Sequence, residues 1–326
     1  MDLKTKYLQF ELKSPIVLAS CGLSENIGNL VIAEDSGAGA VVLKSLFEEQ
    51  ILRDAGLGTS YKLKEFSSID SYEYSVKTTP DSYLENYLSL ISEAKKRIDI
   101  PVIASINCIT YHQWPQYAII FENAGADAIE LNIAVSPTDH DISNDDVLER
   151  QIKVVSDVSN HCTIPIAVKV SNHYSNLGLS LSLLESAGAD AVVLFNRYFK
   201  PDIDIETVEL ISNSDLSHPN EITESLRWIA LMKRKLKCSI AGSTGVHDAA
   251  GIIKYILAGA DAVQVCSVVY KHGINHIKEL NAGVIEWMEK KGFENIESFK
   301  GHIALQESNT PILERLQYMK RAIREM

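Results

Sequence analysis

The sequence predicts a single α/β domain over residues 1–326, a (β/α)8 TIM barrel with an N-terminal β-hairpin and long top-face loops after strands 2 and 6. Three observations predict it. Short, nearly continuous apolar runs recur along the whole chain, as expected of parallel strands buried on both faces. Stretches with helical spacing separate them. The phrase AGADA occurs three times, at 124–128, 187–191 and 258–262, each time leading into an apolar burst.

In order, the runs are PIVLAS (15–20), AGAVVLK (38–44), PVIASIN (101–107), DAIELN (127–132), PIAVKV (165–170), DAVVLFN (190–196), CSIAG (238–242) and DAVQVC (261–266). Helical spacing covers 25–36, 82–97, 113–123, 145–159, 177–186, 221–236, 247–257 and 272–290. Strand and helix thus alternate around a closed barrel rather than an open doubly wound sheet. A Rossmann-type sheet would need GxGxxG after the first strand, and SCGLSEN stands there instead. The Gly of each AGAD suits the left-handed residue that closes a helix, and its Asp reads as a turn residue. Each copy then marks the bottom of the barrel, with GAGAVVLKS from Gly37 as a looser fourth version. The start, TKYLQFEL followed by SPIVLAS, reads as two strands forming a hairpin across the bottom. The long connections, 46–81 and 197–220, leave from the top, where such loops cover sites.

Composition narrows the function. Hydrophobic residues make up 46% and charged residues 23%, with a net charge of −12 and no basic stripe. Nucleic acid and anionic membrane are therefore not expected as partners. No apolar run approaches the roughly 20 residues of a membrane span. The opening residues show no signal-peptide pattern, so a cytoplasmic protein is expected. The five cysteines are scattered and without a CxxC pairing, which predicts reduced thiols.

Barrel active sites lie at the C-terminal ends of the strands. Those positions carry Ser20, Lys44 and Ser45, Asn107, Asn132, Lys169, Asn196, the GSTG of 242–245, and Cys266 with Ser267. GSTG and CS follow the last two strands, where barrels commonly bind phosphate, with Gly242, Ser243 and Gly245 allowing close backbone approach. The same glycines could simply shape a turn. Lys169 sits within an apolar strand and must point into the mouth or be buried without a partner. It could stabilise an anion or form a Schiff base; Lys44 ends its strand and could equally be solvated. A lone Asn is commonly a cap, but three at three strand ends suit a planar heterocycle. The histidines show no metal-ligand spacing, so no metal is assigned.

These residues, in this order, resemble the dihydroorotate dehydrogenase family of FMN-containing barrels. LKS (43–45), ELN followed by Ser136-Pro137, AVKV, and AGSTG with QVCS carry the resemblance. It implies a class 1-like flavoprotein that oxidises dihydroorotate to orotate, or acts on a related cyclic amide. It also implies FMN phosphate on Gly242, Ser243, Gly245, Cys266 and Ser267, and Lys169 at the flavin N1–O2 edge. Ser20, Lys44, Ser45 and Asn107 would hold the ring, with Asn132 also in contact. Lys44, Asn132 and Asn196 would bind substrate, and Ser136 would be the catalytic base. Without the resemblance Ser136 reads as a turn hydroxyl. A homodimer is expected, with a separate electron-transfer partner left open.

The substrate half departs from the family pattern. Three residues separate Asn132 from Ser136 instead of two, Thr138 stands for Asn, and EFSSIDSYEYSVKT (65–78) replaces an Asn-rich loop. Arg197 stands where the family has Ser or Thr; with Tyr72, Tyr74 and Tyr198 it could bind substrate as a new anion- or ring-binding surface, and ordinary loop packing explains these residues equally well. His140, Tyr198 or a water is the alternative base. The reading from another class is a non-redox lyase or aldolase using Lys169 and a phosphate-bearing substrate. A flavin- or nucleotide-binding protein without turnover is a third.

Overall fold

The computed structural model describes residues 1–54, 83–108, 113–133, 143–198, 200–212 and 216–304. Eight parallel strands close into a barrel: β3 (Ile16–Leu18), β4 (Ala40–Val42), β6 (Val102–Asn107), β7 (Ala128–Asn132), β8 (Ile166–Val170), β9 (Ala191–Leu194), β12 (Ser239–Ser243) and β13 (Ala262–Val265). Pairing of β13 with β3, and of β4 with β6, completes the ring. A two-residue strand, β5 (Leu46–Phe47), adds to β6 just above β4. Helices separate the strands, among them Tyr83–Arg97, Asn144–His161 and Ile222–Met232.

The hairpin is present, but its strands are not those expected. Both lie within TKYLQFEL: β1 (Thr5–Tyr7) pairs antiparallel with β2 (Phe10–Leu12). The turn falls at Leu8 and Gln9, which adopt φ of 48° and 67°. Positive φ at both central residues matches the right-handed twist of a tight hairpin. SPIVLAS instead supplies the first barrel strand.

The hairpin fills the bottom of the barrel. Inward positions there are small, including Ala128, Ala167, Ala241 and Ala262, and they pack with Tyr7, Leu8 and Leu12 in one buried cluster. Three polar contacts fix the plug. Thr5 Oγ1 donates to the Asp261 carbonyl at 2.9 Å, Leu8 N to Ser239 Oγ at 3.4 Å, and Gln9 Nε2 to Asp190 Oδ1 at 3.0 Å.

The Asp of AGAD does more than turn the chain. Asp127 accepts from Val102 N at 2.7 Å, Asp190 from Ile166 N at 2.9 Å, and Asp261 from Ile240 N at 2.9 Å. In each case its own N–H returns a bond to the same residue's carbonyl. Each copy thereby clamps the start of one strand to its predecessor in the barrel. The looser copy has Gly39 at this position, where a Cβ would stand 1.9 Å from the Ser14 carbonyl oxygen. No side chain fits there.

Of the long connections, residues 48–54 form a helix and 55–82 lie outside the described residues. The second carries an antiparallel arm, β10 (Pro201–Asp204) with β11 (Glu209–Ser212). Ile203, Ile205 and Val208 on this arm are 62%, 80% and 82% exposed, so its apolar side chains face solvent.

Candidate active site

Alternation along the buried strands sends every second residue inward. Above the alanine layer this places Ser105 of β6, Glu130 of β7, Lys169 of β8 and Gln264 of β13 in a second layer, all buried. Lys169 Nζ donates to Gln264 Oε1 at 3.0 Å and lies 3.8 Å from Glu130 Oε1. The Gln264 amide in turn donates to the other carboxylate oxygen, Glu130 Oε2. A buried ammonium is thus answered by a buried carboxylate, with an amide touching both.

One step higher, the strand-end asparagines converge. Asn107 Nδ2 donates to the Asn132 carbonyl at 2.8 Å, and Asn196 Nδ2 donates to Asn132 Oδ1. Opposite them runs a hydroxyl chain. Ser20 Oγ lies 3.2 Å from Ser45 Oγ and accepts from Ser45 N, while Ser45 Oγ lies 2.7 Å from Ser105 Oγ. Tyr87 anchors the chain by accepting from Ser105 N at 2.8 Å and donating to its carbonyl at 3.0 Å. Lys44 is buried at the same level.

Cys21 and Cys266 meet where β3 and β13 end. A hydrogen bond to Cys266 lowers the Cys21 thiol, against the effect of burial, aided by the Leu23 and Ser24 amides and the charge of Lys44.

The glycines of GSTG have packing reasons of their own. A Cβ on Gly242 would stand 2.6 Å from the Tyr255 ring, and Gly245 takes φ of 75° with its Cβ direction 2.4 Å from Ile222 N. Tyr255 Oη donates to the carbonyls of Ser243 and Thr244, fixing the turn. Beside it, Gly245 N donates to Ser217 Oγ at 3.3 Å, and Ser217 Oγ lies 2.9 Å from Ser267 Oγ and 3.2 Å from His247 Nε2. Burial, then the charge of Lys271, lower the His247 pKa, which favours a neutral ring at pH 7. An amide N–H, two hydroxyls and an imidazole therefore cluster within hydrogen-bond distance of one another, groups of the kind that suit an oxyanion.

The remaining residues fall as follows. Arg197 donates to Glu221 from Nε at 3.0 Å and from Nη2 at 3.3 Å, and Lys200 reaches the same carboxylate at 2.6 Å. Burial works against the charge on Glu221, but these bonds and the His218 N–H bring its pKa down to about 2. Tyr198 packs against His173 with ring centroids 5.5 Å apart, and burial raises its hydroxyl pKa, which does not suit a base. Ser136, Pro137, Thr138, His140, Tyr72 and Tyr74 lie outside the described residues. Sequence reasoning missed Glu130, Gln264, Ser105, Ser217 and His247. The first three had a signal, a polar letter at an inward position of an apolar strand; Ser217, in a long loop, had none.

A family model described as dihydroorotate dehydrogenase matches residues 2–288. The chain is 28% identical over 310 residues to a Thermoplasma volcanium protein, covering 92% of this chain and 98% of the relative. It is 28% identical over 299 residues to a Methanosarcina acetivorans protein (89% and 93%) and 27% over 307 residues to one from Pyrococcus horikoshii (92% and 97%). All three are named dihydroorotate dehydrogenase B (NAD(+)), catalytic subunit.

Proposed function

The chain belongs to the dihydroorotate dehydrogenase family, oxidoreductases acting on CH–CH bonds, and from that premise we propose that it oxidises dihydroorotate to orotate with FMN as cofactor. The observation that carries the reading is Lys169, an ammonium buried in the barrel just below three convergent strand-end asparagines.

The residues present fit FMN. Gly245 N–H, Ser217 and Ser267 offer donors to a phosphate, together with Gly242, Ser243 and Cys266 in the family pattern. Ser20, Lys44, Ser45 and Asn107 offer a polar rim to a ring system. When bound, FMN would supply a hydride acceptor. Lys169 would stabilise negative charge developing on the ring system beside it. Asn132 and Asn196, already joined, would orient a planar cyclic amide through their remaining donors and acceptors. Ser136 would take the proton from the carbon next to the substrate carbonyl; a serine needs a water relay or charge focusing to do so. Arg197, held by Glu221 through Nε and Nη2, would stand beside Asn196 on the substrate side with Lys44. A carboxylate beneath Lys169 suits charge stabilisation better than Schiff-base chemistry, which needs a neutral amine.

The relatives' name specifies a catalytic subunit and NAD(+). For this chain it supports a separate subunit that carries electrons onward. The exposed apolar arm of 201–212 supports association with another chain, and a homodimer belongs to the same reading. Among the described residues no helix is long and apolar enough to cross a membrane; a cytoplasmic location is likewise proposed.

The visible spectrum of the purified protein tests this. A yellow protein whose absorbance near about 450 nm, the oxidised flavin band, bleaches on anaerobic mixing with dihydroorotate is expected. A colourless protein that takes up no added FMN would sink the flavin reading. A yellow protein left unbleached would sink the substrate. Ser136→Ala should slow bleaching by about 100-fold or more, and an unchanged rate would remove Ser136 as the base.

A further inference from the structure

The second layer of the barrel contains an ion pair that does not close. Glu130 is 1% exposed, and its Oε1 has no hydrogen-bond partner among the described residues. The Lys169 ammonium stands 3.8 Å away, beyond hydrogen-bond reach. A buried carboxylate oxygen beside a buried ammonium should draw it into direct contact near about 2.8 Å. What intervenes is Gln264, which accepts from Lys169 at 3.0 Å through Oε1 and donates to Glu130 through Nε2. Its position is fixed by strand pairing, since Gln264 stands opposite Ser243 on one side and Val17 on the other. Below, the Tyr7 hydroxyl is also buried without a partner, and the Glu130 charge adds to burial in raising its pKa. Among the described residues no group from below satisfies Oε1 in place of Lys169.

We propose that Gln264 is a positioning residue, a spacer that holds the Lys169 ammonium off Glu130 and so keeps its charge directed to the barrel mouth. Glu130 compensates the buried charge at a distance, and Gln264 prevents that compensation from becoming neutralisation by contact. In Gln264→Leu the wedge is lost, so Lys169 drops onto Glu130 and its field at the mouth weakens. In the double variant Glu130→Gln, Gln264→Leu there is no carboxylate to drop onto, and the field returns. A merely structural role for Gln264 predicts no such recovery, because the double variant disturbs packing more than the single one.

What the ammonium faces rests on the flavin reading above; where it stands does not. The test therefore has two arms. Crystal structures of Gln264→Leu should show Lys169 Nζ within hydrogen-bond distance of Glu130, and an ammonium still standing off the carboxylate would overturn the spacer role. In the flavin-loaded protein, sulfite titration reads the charge near the ring, because the sulfite adduct carries negative charge that a nearby cation stabilises. Gln264→Leu should weaken sulfite binding on the order of tenfold, the size of one charge-assisted hydrogen bond, while FMN affinity stays near wild type. The double variant should recover most of that loss. Unchanged sulfite affinity in the single variant, or no recovery in the double, would overturn the proposal while the flavin reading stood. A protein without flavin would overturn that reading and leave the crystallographic arm to decide this one. If Gln264→Leu does not fold, Gln264→Met, unbranched and of similar length, carries the same test.

Discussion

Asp261 is the AGAD aspartate with the most to lose. Its carboxylate is 8% exposed and accepts from Ile240 N, from Lys233 at 2.9 Å and from Lys300 at 3.0 Å. Burial alone would lower the Lys300 pKa, yet Asp261 and Glu297 hold it above its ordinary value. In Asp261→Ala the Ile240 N–H loses its partner inside the barrel wall, costing about 1–3 kcal/mol. The two ammoniums, 25% and 11% exposed, lose their shared counterion for roughly another 1 kcal/mol in all. The sum is about 3 kcal/mol, or roughly 4–5 °C in Tm for a chain of this length. Asp261→Asn keeps an acceptor for Ile240 N and should lose only about 1 kcal/mol, the charged part. Asp127→Ala should cost less than Asp261→Ala, since Asp127 is 24% exposed and bonds one lysine. Urea denaturation and calorimetry of the three variants test this ranking. If Asp261→Asn falls as far as Asp261→Ala, the strand clamp is not what the aspartate contributes. If Asp261→Ala lies within about 0.5 kcal/mol of wild type, the range of an ordinary surface substitution, the reasoning fails altogether.

Gly242→Ala should drive its methyl into the Tyr255 ring, displace the turn that Tyr255 holds, and weaken FMN uptake by about 100-fold or more; fluorescence titration with FMN checks it, and wild-type affinity would dissociate the turn from phosphate binding. Glu221 has a folded pKa of about 2, below its unfolded value. Its stabilisation is therefore complete above about pH 4.3 and is lost as pH falls toward 2. Glu221→Gln should flatten this part of the acid-unfolding curve, and an unchanged slope between pH 4.5 and 2 would contradict the pairing with Arg197 and Lys200. N-ethylmaleimide at pH 7 should modify the Cys21–Cys266 pair ahead of Cys108, whose thiol is pushed up by burial and by Glu48 and Glu49. Peptide mass spectrometry gives the order, and Cys108 reacting first would refute it.

The barrel was legible because its strands are buried on both faces and so read as unbroken apolar runs. The rim was legible because Ser20, Asn107, Asn132 and Asn196 end those runs. The inner layer was harder. Glu130 and Gln264 are single polar letters inside AIELN and AVQVC, and their meaning depends on which neighbours the closed barrel brings opposite them. The hairpin was misplaced because its turn uses Leu8 and Gln9 at positive φ, where Gly or Asn would have announced it. The AGAD aspartates looked like turn residues because their bonds run to other strands, 21 to 25 residues away. Ser217 reaches Ser267 and His247 from a loop with no periodicity to betray it.

The plug sets a schedule for how the chain acquires its structure. Thr5 bonds the Asp261 carbonyl across 256 residues of chain, and Leu8 meets Ser239 across 231. The seat for residues 5–12 does not exist until β12 and β13 have joined the ring. During synthesis at about 5–20 residues per second, the hairpin emerges first and waits, its Tyr7, Leu8 and Leu12 uncovered, until nearly the last strand is made. Such distant contacts slow folding and prolong exposure of apolar surface. A ribosome-bound chain halted before residue 239 should keep residues 5–12 open to protease, and one released beyond residue 304 should protect them.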